Sequence, residues 1–182
     1  MSARGFNPNR IAAVIYEDGP AVDKLMTTFA RELVGGGVDA AGIVQLPPDE
    51  AGCGPGALMK LMAVASGEIL PLCQDLGPGA GSCCLDTSAL ASASQRLRDD
   101  VSRPSDILFV SKFGKQEANG KGFRDEIAYA VSEGRLVLTA VKRNMVGRWL
   151  EFTGGQGTLL DARLWVLHDW YNETAHGRRA AA

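Results

Sequence analysis

Three short stretches of the chain are apolar almost without interruption: Ile11 to Tyr16, Asp106 to Ser111 and Leu136 to Val141. A strand with one face in water alternates apolar and polar residues. A continuous apolar run of this length belongs to a strand covered on both faces, as parallel strands are between two layers of helices. The segments between these runs have the other period. From Ala21 the apolar positions Val22, Leu25, Met26, Phe29, Ala30 and Leu33 recur at helical spacing, and Gly35-Gly36-Gly37 ends the repeat. Val38 to Gln45 then reads as a second strand, so the unit is strand, helix, strand with a right-handed crossover.

The same reading carries along the chain. Leu58 to Ala65 and Glu68 to Cys73 flank Ser66-Gly67 and predict a β-hairpin. Asp86 or Thr87 caps a helix that runs to about Val101. Phe123 to Glu133 is helical and stops at Gly134, and Asn144 to Phe152 is a short helix. Thr153 to Gly157 is a turn, and Asp161 to Glu173 is a last helix carrying Trp165 and Trp170. The expected fold is α/β, three-layered, with a mainly parallel sheet and an inserted β-hairpin. A length of 182 residues suits one domain. Residues 1–10 are expected to be a disordered leader, 11–174 the single α/β domain and 175–182 a frayed tail.

Composition removes several classes of function. Lys plus Arg number 19 against 21 Asp plus Glu, a formal charge of -2, so there is no electrostatic footprint for nucleic acid. No apolar run approaches the roughly 20 residues that span a bilayer. The polar stretch Met1 to Arg10 has no apolar core of a secretory signal, so the cytoplasm is the expected location. Two histidines, His168 and His176, are too few for a His-rich metal site. The four cysteines, Cys53, Cys73, Cys83 and Cys84, contain no Cys-x-x-Cys spacing and are expected to be reduced. The adjacent Cys83 and Cys84 have the softness to ligate a thiophilic metal, although packing is the commoner fate of a free cysteine.

In an open parallel sheet, ligands bind beyond the carboxyl ends of the strands. The loop after the first strand is where a phosphate cradle of the form Gly-x-x-x-x-Gly-Lys-Ser/Thr would lie. Aligned on Lys24, the chain reads Asp18-Gly19-Pro20-Ala21-Val22-Asp23-Lys24-Leu25. Aspartates replace both framing glycines, Leu25 replaces the magnesium-binding hydroxyl, and Pro20 lacks one backbone N–H. Glu17, Asp18 and Asp23 put negative charge where a phosphate would go. The helix dipole favours an anion there by about 1 kcal/mol at most in exposed settings, less than several carboxylates at close range would cost. The strand DILFVS would end in an acidic, magnesium-holding residue in a P-loop enzyme, and here Ser111 and Lys112 stand in that place. Tight triphosphate binding in the usual pose is therefore not expected.

The stretch after that strand, Lys112-Phe113-Gly114-Lys115-Gln116-Glu117 followed by Gly120-Lys121-Gly122-Phe123, is the most distinctive in the sequence. Lys112, Lys115, Lys121 and Arg124 read as an anion-binding rim, or more plainly as a solvated basic loop in which Glu117 pairs locally. Near the third loop, Lys142, Arg143 and Arg148 add positive charge beside Trp149. A Gly-rich segment, residues 74–86, sets Gln74 and Asp75 beside Gly77, Gly79 and Gly81.

The order of elements resembles the small P-loop nucleoside-triphosphatase family over roughly residues 11–150. In that family the later strand ends in Asp-Glu-x-Gly-x-x-Glu; here Gly114 and Glu117 match, while Ser111 and Lys112 replace the acidic pair. A closer resemblance is to a bacterial family with the motifs IYEDG (15–19), QDLGPG (74–79), CCLD (83–86), KFGKQEANGKGF (112–123) and LTAV (138–141) as they stand here. That resemblance implies an association with molybdate uptake and molybdenum enzymes, without an established activity. The expected function is then a non-catalytic, P-loop-like accessory protein in molybdenum metabolism. Its ligand would be molybdate or tungstate, a nucleotide-like molecule, or a protein of the molybdenum pathway. The expected ligand-binding residues are Lys112, Gly114, Lys115, Glu117, Asp75, Gly77 and Lys24, with Cys83 and Cys84 as candidate metal ligands. Two alternatives stand beside it: a nucleoside-triphosphatase with altered motifs, and a homodimeric interaction module that uses the Trp-bearing C-terminal segment.

Overall fold

The computed structural model describes residues 10–50, 59–72 and 86–179 of the chain. Its first unit is the expected one. Strand β1 (Ile11–Tyr16) leads into helix α1 (Gly19–Gly35), which returns the chain to β2 (Ala40–Gln45). The hairpin follows as β3 (Lys60–Ala63) and β4 (Ile69–Pro71), then α2 (Thr87–Ser102) and β5 (Ile107–Phe109). Two helices, α3 (Lys115–Ala118) and α4 (Arg124–Ser132), precede β6 (Val137–Lys142). A 3-10 turn at Arg143–Met145 opens α5 (Val146–Thr153), and β7 (Thr158–Asp161) and α6 (Leu164–Arg179) close the chain.

The seven strands form one sheet in the order β4-β3-β2-β5-β6-β1-β7. The strands β2, β5, β6, β1 and β7 run parallel, and β3 and β4 add antiparallel pairs at one edge. Alternate residues of each parallel strand feed opposite faces. Ala12 and Val14 of β1 pack in one core with Met26 and Phe29 of α1 and Leu167 and Trp170 of α6. Ile11 and Ala13 pack in the other with Leu97 of α2, Ile127 of α4 and Trp149 of α5. This is why the strands read as unbroken apolar runs: both faces are covered, and each large aliphatic side chain removed from water contributes about 1.5–3 kcal/mol. One close approach is enforced by a glycine. Gly42 of β2 has φ +93°, and a Cβ there would lie 1.9 Å from the carbonyl oxygen of Phe109. Its N–H donates to the buried carboxylate of Asp100 on α2 at 3.0 Å.

The structure differs from the sequence reading in four places. The hairpin strands are shorter than expected, and β4 ends on Pro71, a residue suited to the edge of a sheet. The connection after β5 is not irregular throughout, because it contains the one-turn helix α3. An extra strand, β7, fills the gap between the expected turn, Thr153 to Gly157, and the expected last helix, and takes in Asp161, that helix's expected first residue. It has four residues, of which only Leu160 is buried, so it carries no continuous apolar signal. Asp161 ends that strand and α6 begins at Leu164 and runs to Arg179, beyond the expected end at Glu173. On α6, Trp170 enters the core whereas Trp165 is 61% exposed.

Candidate functional site

The parallel strands bring the loops after β1, β2, β5 and β6 to one edge of the sheet. After β1 the chain turns directly into α1, and Pro20 lies in the first turn, where its missing N–H costs no helical bond. Asp18 occupies the N-cap position, but its side chain makes no capping bond. Its carbonyl instead accepts the N–H of Val22 at 3.2 Å. The exposed Glu17 turns across the edge to pair with Arg143, the first residue after β6.

Asp23 goes the other way. It lies on the inner face of α1 and is only 4% exposed. Lys112, just past β5, reaches it from across the sheet. The Nζ of Lys112 stands 2.8 Å from Oδ1 and 2.9 Å from Oδ2 of Asp23. Gln45, the last residue of β2, donates from Nε2 to Oδ2 at 3.2 Å. The ring of Tyr16, the last residue of β1, lies 5.5 Å from the ammonium and completes the enclosure. Thr27, one turn further along α1, donates to the Gln45 carbonyl at 3.3 Å. Three strand ends and one helix thus converge on a single ion pair, beside a small cavity that Met26, Val44 and Ser111 also line.

The electrostatics follow from burial. Desolvation pushes the Asp23 carboxyl up to about 6, with the nearby Asp18 charge acting in the same direction and the Lys112 ammonium opposing both. Burial, followed by the charge of Asp23, also raises the Tyr16 phenol above its ordinary value. The ammonium is close to the first turn of α1: a Cβ on Gly19 would lie 3.7 Å from it. A P-loop holds phosphate in this region with a cation from the helix and an acidic residue at the end of the later strand. Here the signs are exchanged, with the acid on α1 and the cation beyond β5. The residues present do not fit a nucleoside triphosphate in that pose.

The loop that follows is organised by Glu117, which is 6% exposed. Its Oε2 accepts the Gly114 N–H at 2.9 Å and its Oε1 accepts the Phe123 N–H at 3.0 Å. Gly122 has φ +61°, and a Cβ there would lie 2.0 Å from Oε1 of Glu117, so the position has to be glycine. Phe113 anchors the other end of the loop, edge-on to Trp149 at 5.1 Å and stacked on Phe152 at 5.3 Å. Arg124 donates to the Glu117 carbonyl at 3.1 Å and lies over the Phe152 ring at 4.6 Å. The result is a fixed loop on which Lys115 and Lys121 are exposed.

The residues singled out in the sequence therefore separate. Lys112 lies at the centre of the cluster. Gly114 and Glu117 build the adjoining loop, and both carboxylate oxygens of Glu117 are already occupied by backbone donors. Lys115 lies on the loop's outer surface, and Lys24 is exposed one position beyond the inward-facing Asp23. Asp75, Gly77, Cys83 and Cys84 lie outside the described residues. Gln45 and Tyr16 escaped the sequence reading. Their signal was a polar or amphipathic residue closing an otherwise apolar strand at the carboxyl edge. Among the described residues, no cluster of three or more His, Cys, Asp or Glu is placed to hold a metal ion. Among them, too, no helix is long and apolar enough to cross a membrane.

Comparison with known proteins places this architecture in a family. The chain is 39% identical over 170 residues to the molybdenum import ATP-binding protein ModC 2 of Bradyrhizobium diazoefficiens. The match takes in 93% of this chain and 19% of that protein, so the chain spans about a fifth of its relative's length. No solved structure matches the chain significantly. The profile of a family described as "Protein of unknown function (DUF2478)" matches residues 11–170. Nearly the whole described fold, from the start of β1 into α6, lies within that match, and the chain belongs to the DUF2478 family.

Proposed function

We propose that this chain is a non-catalytic, P-loop-like accessory module of molybdenum import that binds a tetrahedral oxyanion, molybdate or tungstate, at the carboxyl edge of its sheet. The observation that carries this reading is the buried Lys112–Asp23 pair. It puts a cation at the carboxyl edge, where ligands of open parallel sheets bind. The relative supports the context. Its name joins molybdenum import to ATP binding, and this chain matches only 19% of that protein. The exposed Lys115 and Lys121 give the same edge a positive approach for an anion.

Titration calorimetry of the chain with molybdate, tungstate, ATP and GTP tests this. The expected result is saturable heat with molybdate or tungstate, absent with the nucleotides and lost in Lys112→Met. No heat with any of the four sinks the small-ligand reading and leaves a partner-binding module. Magnesium-dependent phosphate release that disappears in a Lys24→Ala, Lys112→Ala double variant overturns the non-catalytic assignment.

A further inference from the structure

The Lys112 ammonium is not free to receive a ligand. Both Asp23 oxygens contact it, at 2.8 and 2.9 Å. An incoming oxyanion competes with a carboxylate that is already in place and held there by Gln45. Among the described residues, the groups that face Asp23 are few. The N-cap of its own helix contributes Asp18, which repels it; β1 contributes the Tyr16 phenol; β2 contributes the Gln45 amide; and the segment after β5 contributes Lys112. Among these, Lys112 is the one cation. If an oxyanion draws the ammonium away, the Asp23 carboxylate is left buried with a single amide donor and a neighbouring negative charge. A buried charge stripped of its partner is strongly unfavourable. The inexpensive way out is to neutralise it.

Resting on the oxyanion reading above, we propose that oxyanion binding at Lys112 is coupled to the uptake of one proton from solvent by the Asp23 carboxylate. The exchange balances: the Lys112–Asp23 ion pair is replaced by an ammonium–oxyanion pair, and Asp23 passes from carboxylate to carboxylic acid. The acid form also turns an acceptor-only group into one with an O–H donor, which the oxyanion can accept. The proton is close at hand, since the Asp23 carboxyl is pushed up to about 6 even with Lys112 beside it. Loss of that cation raises it further, because Lys112 is the influence that lowers it. The site would thus take up an oxyanion and a proton together.

Calorimetry with molybdate and with sulfate tests the coupling, since both remain dianions between about pH 6.5 and 8.5, above the Asp23 titration. Measurements in buffers of different ionisation enthalpy read the proton directly. Uptake is expected to approach one proton per anion at the alkaline end, and affinity to weaken about tenfold for each unit of rising pH. Asp23→Asn, which keeps the shape without the charge, is expected to bind with a flat pH profile and more tightly than the wild type at the alkaline end. The carbon NMR signal of the Asp23 carboxyl is expected to move to its protonated position when molybdate saturates the wild-type chain. Proton uptake near zero, or a pH slope that survives in Asp23→Asn, overturns the coupling and leaves oxyanion binding standing. Binding unchanged by Lys112→Met puts the anion elsewhere and also overturns it. Absence of binding by both the wild type and Asp23→Asn across the pH range overturns the oxyanion reading and the coupling together.

Discussion

Two buried carboxylates lie at the carboxyl edge of this sheet, and they are satisfied in opposite ways. Glu117 takes its partners from its own loop: the N–H groups of Gly114 and Phe123, three and six residues away. Asp23 takes Gln45 from 22 residues away and Lys112 from 89. Glu117 is bound by dipoles that belong to the backbone and cannot leave without unfolding the loop. Asp23 is bound by a side-chain cation from a distant part of the chain, and on the oxyanion reading proposed above another anion competes for that cation. Similar burial is therefore met by local backbone dipoles in one place and by a long-range ion pair in the other.

The comparison can be broken first at the Glu117 staple. Gly122→Ala forces a Cβ against Oε1 of Glu117 and holds a non-glycine residue at positive φ. A destabilisation of about 3 kcal/mol is expected in urea unfolding, from backbone strain plus a lost charge-assisted hydrogen bond. An effect below about 1 kcal/mol would show that the loop relaxes freely and that Glu117 is no staple.

Next comes the long-range pair. Lys112→Met leaves Asp23 buried without its cation and should cost about 2 kcal/mol near pH 8, less than a fully buried pair because the lysine side chain is 20% exposed. The same variant should raise the Asp23 midpoint above its value of about 6, read by carboxyl NMR. A midpoint that stays put would show that the two groups do not interact in solution.

An effect of comparable size lies in the pH dependence of stability. Folding raises Asp23 from 3.8 to about 6, so the folded state favours its protonated form. The corresponding stability is complete below about pH 3.8 and is lost as pH rises through about 6. Relative to Asp23→Asn, the wild type is expected to lose stability across that window in parallel urea titrations. Parallel curves would remove Asp23 as a titrating group. The smallest effect is on the outer surface. Lys115→Ala and Lys121→Ala should change stability by no more than about 0.5 kcal/mol while weakening molybdate binding in a salt-dependent way. A stability loss comparable to Gly122→Ala would show that these lysines belong to the staple.

Much of this was legible in the sequence, and the exceptions have reasons. The unbroken runs around Val14, Leu108 and Leu138 announced strands covered on both faces, and the helical repeat from Val22 to Leu33 announced α1. The glycines of the KFGKQEANGKGF segment announced a loop with special backbone geometry, and Gly122 shows why one of them is needed. Strand β7 was not legible, because an edge strand that buries only Leu160 needs no apolar run. Lys112 was conspicuous as a lysine after an apolar strand. Its partner was not, and Asp23 read simply as a charge that would repel phosphate.

The sequence by itself determined the layered α/β architecture, since hydrophobic periodicity is local and survives in one dimension. It also determined what a P-loop lacks here: the framing glycines, the hydroxyl at Leu25 and the acid at Ser111 and Lys112. Only the tertiary structure decided that the misplaced acid and the misplaced lysine meet. That contact depends on the strand order, which brings the end of β5 close to the inner face of α1. It also depends on burial, which takes an ion pair between residues 89 positions apart out of the screening of bulk water.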